Sequence, residues 1–325
     1  MPETPTEHAG LRSAVVENAS GQAAMQPWIS MECFQLSTGK RLAQIDCLDL
    51  GHLQVVRERQ CSTVQKLGAT PADLCTISYC TSDPAFRFSD HAGSVNDSIF
   101  FMPERTEFDI HVPAGAQTTY ISFSQAQFIG AARTLNPRVW DQPTAQIMLL
   151  RASQLSELRA CLAYWLAASQ AVQVRGDFLN SGVLESVILQ SVLSMTTAVS
   201  QDTQTTLTTA SKSRAYRLCR RAREHVAECM AAHNLPTIVD ICASLAVSQR
   251  TLVYAFQEYA GMSPQTYLRL CRLNRVRATL LEKCAKDISV TQVAMQFGFL
   301  HLSRFAGDYK RLFEESPATT LARSA

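Results

Sequence analysis

Residues 294–305 read AMQFGFLHLSRF. Val290, Val293, Ala294 and Phe297 fall on one face of a short helix, Gly298 interrupts it, and helical spacing resumes at Leu302, Phe305, Ala306, Tyr309, Leu312 and Phe313. Upstream, Ser289-Val-Thr-Gln292 has the form of a capping box, with Ile288 and Val293 placed for a hydrophobic staple. Two short amphipathic helices around a tight turn make a helix-turn-helix. One such pattern alone is a weak signal, so the rest of the chain must decide.

The same device stands 52 residues earlier. Thr237-Ile-Val-Asp240 opens a run in which Ile238, Ile241, Cys242 and Leu245 repeat at helical spacing. Ala246 and Val247 leave room for a turn, Ser248 is a good N-cap, and Leu252, Ala255, Phe256 and Tyr259 form a second apolar face. Between the two units, Ser263 and Pro264 start a helix of about 20 residues, roughly 30 Å long. Successive major grooves on one face of DNA are ~34 Å apart, so this spacing suits two helices entering neighbouring grooves.

Charge supports that reading. The 325 residues carry a formal +2, but from Lys212 onward there are 17 Lys and Arg against 9 Asp and Glu, leaving 13 against 19 in front. A basic back behind a mildly acidic front fits a nucleic-acid-binding part joined to a regulatory part.

Outside the basic third the periodicity changes twice. From about Trp28 to Gln125, short runs such as LCTISYC, SIFFMP, EFDIHV and TTYISFSQ alternate with Pro, Gly, Asp and Ser clusters, which predicts a small β-barrel or sandwich of cupin-like type. Between Thr144 and Val199 the period becomes helical. Gly176 and Asp177 separate two helices, an antiparallel hairpin that packs on the β-domain or forms a subunit contact. Residues 200–213, rich in Ser, Thr and Gln, read as a linker, and residues 1–27 as a disordered N-terminus. The expected fold class is therefore α+β: an effector-binding and dimerisation domain over 28–199, then an all-α domain over 214–325 with two helix-turn-helix units joined by a long helix.

Eleven cysteines, an odd number without any C-x-x-C pair, argue against a disulfide framework and a zinc site. No apolar run reaches the ~18 residues of a membrane span and no secretory signal opens the chain, so a cytoplasmic protein is expected. His52, His91 and His111 stand apart in sequence, which disfavours the alternative of a metal-dependent cupin-type enzyme fused to a DNA-binding domain. No catalytic residue, metal or cofactor is expected.

ICASLAVSQRTLVYAF, GMSPQTYLRLCRLNRVRATLL and VAMQFGFLHLSRFAGDYKRLFEESP together resemble the DNA-binding domain of the AraC/XylS family of bacterial transcription regulators. The last ~110 residues carry this resemblance, which looks closest to the branch containing the ethanolamine operon regulator and XylS-like activators. It implies a small-molecule effector domain in front, promoter DNA and RNA polymerase as partners, and an activator overall, with a homodimer left open. In the first unit Gln249, Arg250, Thr251 and Tyr254 are the expected readers, since Gln and Arg make bidentate contacts to base edges. The family often has Arg where Tyr254 stands, and again where Gly307 stands. In the second unit the candidates are His301, Ser303, Arg304, Lys310 and Arg311, the last two suiting phosphates better than bases. The arginines between 214 and 223, and Arg269, Arg272, Arg275 and Arg277, are read as solvated charges or phosphate contacts. For the effector, Arg57, Tyr79, Phe88, His91, Phe101 and Glu107 are the candidate contacts.

Overall fold

A computed structural model describes residues 10–94, 97–141, 145–177, 180–197, 199–201, 210–232, 234–282 and 288–323. The front domain is a two-sheet sandwich. Its strands run in chain order as β1 (Gly10–Val16), β2 (Ser30–Gln35), β3 (Ala43–Asp49), β4 (Leu53–Gln60), β5 (Val64–Ala69), β6 (Leu74–Cys80), β7 (Asp83–Phe88), β8 (His91–Ser94), β9 (Ser98–Met102), β10 (Glu107–Val112), β11 (Gln117–Ser124), β12 (Met148–Ala152) and β13 (Val199–Gln201). The larger sheet has the order β1-β3-β4-β11-β6-β9-β12-β13, the smaller β2-β5-β10-β7-β8, and every pairing is antiparallel.

Strand alternation sends side chains of the larger sheet to two separate cores. Val56, Cys80, Phe100 and Met102 face the smaller sheet, where Val64, Phe88, Phe108 and Ile110 meet them. Their neighbours Val55, Ile77, Tyr79 and Phe101 face the other way, onto helices. Those helices include α2 (Gln125–Leu135), which follows the short α1 (Ala19–Ala24), and, after α3 (Pro137–Trp140), the hairpin α4 (Leu155–Arg175) and α5 (Ser181–Thr197). Gly176 ends α4 in a left-handed conformation at φ 73°. Leu158, Leu162, Leu184 and Ile188 seat the hairpin on the sheet, so its main apolar face is spent inside the domain.

The N-terminus departs from expectation. Residues 10–24 are ordered rather than disordered: β1 extends the larger sheet along β3, and α1 closes over the sandwich. Gln22 bonds Gln60 and Gln26 bonds Glu58, all four buried. These polar side chains find their acceptors only across the fold, which is why a local reading took the segment for a solvated tail. Residues 1–9 lie outside the described residues. Of the expected linker, 199–201 is taken by β13 and Ala210 already starts a helix, with 202–209 outside the described residues.

The back domain is helical: α6 (Ala210–Ala231), α7 (Ile238–Leu245), α8 (Gln249–Ala260), α9 (Pro264–Glu282), α10 (Val290–Gln296), α11 (Leu302–Phe313) and α12 (Pro317–Ala322). It has two small cores. Ile241, Leu252, Phe256 and Tyr267 centre the first, and Val276, Val293, Phe305 and Tyr309 the second, with α9 contributing to both. Among the described residues no single helix is long and apolar enough to cross a membrane.

Candidate nucleic-acid interface

Each unit is built by its caps. Thr237 and Asp240 form a reciprocal capping box at the start of α7, as Ser289 and Gln292 do at α10. The side chain of Ser248 accepts from the Thr251 amide at 3.1 Å and opens α8. α7 and α8 are bent by 97° from one another, within the range of a helix-turn-helix. The turn between them runs through Ala246 at φ 53°, closed by a Val247 N–H to Cys242 carbonyl bond of 3.0 Å. The second turn makes the same closure from Phe299 N–H to the Ala294 carbonyl, 2.9 Å, with Gly298 at φ 74°.

Alanine stands in the left-handed region in the first turn, glycine in the second. A Cβ at position 298 would also fall 1.9 Å from Cδ1 of Leu235, the mobile end of a half-exposed side chain. Gly298→Ala is therefore expected to cost about 1–2 kcal/mol, mostly from the backbone. Thermal unfolding of the variant checks this, and an unchanged midpoint would refute it.

The faces predicted to read DNA are exposed. Gln249, Arg250, Thr251 and Tyr254 are all exposed on α8, opposite buried Leu252, Phe256 and Tyr259. Arg250 donates to the Tyr254 hydroxyl at 3.2 Å and lies 5.4 Å from its ring centre. The tyrosine therefore braces the arginine pointing outward from the same face. On α11, Ser303, Arg304, Lys310 and Arg311 are exposed, as is His301 at the N-cap, whose side chain makes no capping bond. Leu302 and Ala306, read as core, are exposed instead: the buried stripe is Phe305, Tyr309, Leu312 and Phe313. With 3.6 residues per turn, a stripe this narrow leaves the flanking positions outside.

Four of the back-domain arginines expected to be solvated charges or phosphate contacts are instead engaged by carboxylates. Arg223 and Arg220 on α6 turn toward the front domain, onto Asp109 at 2.7 Å and onto Glu107. Arg275 reaches Glu32 at 3.3 Å, and buried Arg277 pairs with Glu315 at 2.7 Å. Sequence distance hid these partners, because Asp109 and Arg223 are 114 positions apart.

Asp109 is the hub of the seam between the domains. It is almost wholly buried, accepts from Arg87 at 2.9 Å, from Gln65 at 2.6 Å, from Arg223 at 2.7 Å and from the Tyr259 hydroxyl at 2.5 Å. Burial alone would raise its carboxyl, but Arg87 and Arg223, helped by Tyr259, hold it below the usual carboxylate range. Tyr259 belongs to α8, so the front domain grips the buried face of that helix. A second grip lies on α9, where Asn274 exchanges two hydrogen bonds with the backbone of Gln35 at 2.8 and 2.9 Å. In this way α9 covers the edge strand β2. A third is on α11, where the Gly39 N–H donates to the Leu312 carbonyl at 3.2 Å.

The six candidate effector contacts do not form one site. Phe88 and His91 lie around Phe100 between the sheets, whereas Tyr79 and Phe101 face the helices on the opposite side of the larger sheet. Arg57 pairs with Asp46 at 2.8 Å, and Glu107 lies exposed at the seam. Adjacent aromatic residues on one strand diverge to opposite faces, which a list of aromatics does not reveal. At the seam itself there is a cleft of about 590 Å³, with Phe34, Phe108 and Met230 on its apolar walls and Glu107, Arg220 and Arg275 among its charged groups. No three His, Cys, Asp or Glu side chains converge as a metal cluster among the described residues.

A family profile described as a helix-turn-helix domain matches residues 241–323. Over 75 residues, 23% of each chain, the protein is 42% identical to the XylDLEGF operon transcriptional activator of Pseudomonas putida. Over 164 residues, 50% of this chain and 53% of the other, it is 31% identical to the HTH-type transcriptional activator RhaS of Yersinia pestis. The crystal structure of the AraC-like transcriptional activator CuxR aligns with 82% of this chain and 94% of its own at 14% identity and a TM-score of 0.41. The chain thus spans about a quarter of the length of the first curated relatives it matches.

Proposed function

We propose that residues 241–323 form an AraC/XylS-type helix-turn-helix domain and that the protein is a sequence-specific regulator of transcription, an activator, that responds to a small molecule. The observation that carries this reading is the exposure of Gln249, Arg250, Thr251 and Tyr254 on one face of α8 while its opposite face is packed away. Such a face offers bidentate donors and acceptors to base edges in the major groove. His301, Ser303 and Arg304 serve the second unit, with Lys310 and Arg311 on phosphates. α9, at 19 residues and ~28 Å, spaces the two readers for neighbouring grooves.

The working partners are promoter DNA and, for an activator, RNA polymerase; the surroundings are cytoplasmic, and pairing of two copies is part of the reading. The effector acts where it prefers one arrangement of the two domains over another, since a ligand with equal affinity for both shifts nothing. The cleft at the seam, lined by both domains, suits that role better than the scattered aromatic residues of the sandwich.

Selecting duplexes from a random pool with the full chain tests the reading directly. Two enriched blocks about one helical turn apart are expected, with a steep salt dependence. No enrichment, with and without candidate effectors, would remove the claim of sequence-specific reading. Arg250→Ala is expected to weaken binding to the selected site by ~1–3 kcal/mol and to relax preference at one base position. An equal loss on all sequences would recast Arg250 as a phosphate contact.

A further inference from the structure

A cleft of about 920 Å³ opens between the N-terminal half of α9 and the exposed flank of α11. Arg269 and Arg272 line it from α9, and Arg304 and Arg311 from α11, with His301 at its end. Asp308 is the only carboxylate among its described lining residues. That aspartate already pairs with Arg269 and with Arg311 at 3.3 Å, and Arg272 rests on the Phe299 ring at 5.1 Å. Four guanidinium groups therefore share one negative charge. Four cations against one carboxylate leave the cluster short of anions. Arg220, Arg223, Arg275 and Arg277, by contrast, are each ion-paired with a carboxylate outside this cleft.

The far rim of the cleft belongs to the other domain. Leu36, Ser37 and Thr38, from the loop after β2, line it, and the same loop is fastened to the end of α11 through Gly39 and the Leu312 carbonyl. Thr38 and the following Lys40 and Arg41 are exposed.

We propose that this cleft seats DNA backbone phosphates between the two reading helices, and that the front-domain loop at Thr38 forms its outer wall. The proposal rests on the regulator reading and adds to it a direct part for the front domain in the DNA contact. The wall is in place only while the domains are docked, so a ligand that loosens the seam also alters the phosphate seat. The strand between two occupied major grooves is the part of the duplex that passes a linking helix. Phosphates are the chemistry that a cation-rich, carboxylate-poor cleft selects.

The test uses the full chain, its selected duplex and an unrelated duplex, across a salt series. Arg311→Gln, on a side chain 76% exposed, leaves the fold intact and should weaken binding about 5–10-fold on both duplexes, with the salt slope shallower by about one. Asp308→Asn should tighten binding to both severalfold, provided its melting midpoint is unchanged. Thr38→Glu, which places a negative charge on the rim from the front domain, should weaken both. Unaltered affinity in Arg311→Gln and Thr38→Glu overturns the proposal, as does a loss confined to one base position. Competition by inorganic phosphate at low millimolar concentration, without change in the salt slope of any variant, would mark a small-anion site instead and also overturn it. A wild-type chain that binds every duplex equally well leaves the seat standing and removes only the sequence-reading claim. A chain that binds no duplex removes both.

Discussion

Asp109→Ala is expected to lower the unfolding free energy by about 3–5 kcal/mol, among the largest effects of any single change in the protein. The substitution leaves Arg87 and Arg223 buried without their counter-charge, and removes the acceptor of the Tyr259 hydroxyl and of Gln65. An uncompensated guanidinium in a low-dielectric seam costs far more than the ion pair contributes by existing. Glu107→Gln is the matched control. Its partner Arg220 is also held by Glu224 at 2.7 Å and both groups are substantially exposed, so a change within ~1 kcal/mol is expected. Denaturant unfolding of the two variants separates the cases, and similar small losses in both would show that the seam does not depend on Asp109. The pH dependence has a definite sign. The folded pKa of Asp109 is depressed, so its contribution is fully present above the unfolded carboxylate's value, about 4, and is lost as pH falls toward the folded one. The wild-type seam is thus expected to weaken in acid below about pH 4. Since Asp109 also anchors α8, the Ala variant should loosen the back domain, seen as faster amide hydrogen exchange in α8.

The second large effect lies inside the sandwich. Lys66 and Glu58 form an ion pair with side chains 2% and 0% exposed, inside the sandwich. Burial alone would pull the Lys66 ammonium down, but the Glu58 carboxylate holds it above its ordinary value, so it stays charged. Lys66→Met leaves Glu58 with only Gln26 at 2.9 Å and a long contact to Thr118, and should cost about 3–5 kcal/mol. The double change Lys66→Met with Glu58→Leu should recover most of that loss, because replacing a buried pair by apolar side chains of similar volume is often close to neutral. A double variant as unstable as the single would mean that the carboxylate is needed for α1, which reaches it through Gln26, rather than for the lysine.

Both effects sit at residues that a local reading of the sequence passes over. In VQKLGA and EFDIHV, Lys66 and Asp109 occupy ordinary polar positions of amphipathic strands. Glu58 stands only eight positions before Lys66 but in the other sheet, and the partners of Asp109 lie 22 to 150 positions away. The same holds for Asn274, a polar position on a basic helix whose amide completes the edge of β2 239 positions away. By contrast, the second helix-turn-helix was legible nearly to the residue. Its capping box, its glycine and its apolar spacing are all encoded within some 25 neighbouring positions. The first unit was readable despite lacking the glycine, because its two caps and its periodicity outweigh the cost of Ala246 in a left-handed turn.

The division into a β-rich front and a basic helical back, the two helix-turn-helix units, the helix pair α4 and α5, and the exposed residues on α8 are all legible along the chain. These are local properties, set by hydrophobic period, caps and turns over a single element. Which arginines are taken by Glu32, Glu107, Asp109 and Glu315 depends on contacts across the fold. Such contacts also place residues 10–24 in the sandwich, and the front-domain loop at Thr38 at the border of the cleft beside α11. The physical reason is common to all three. A charge or a backbone edge is satisfied by whatever the fold brings within 3 Å, and that neighbour has no fixed distance along the chain.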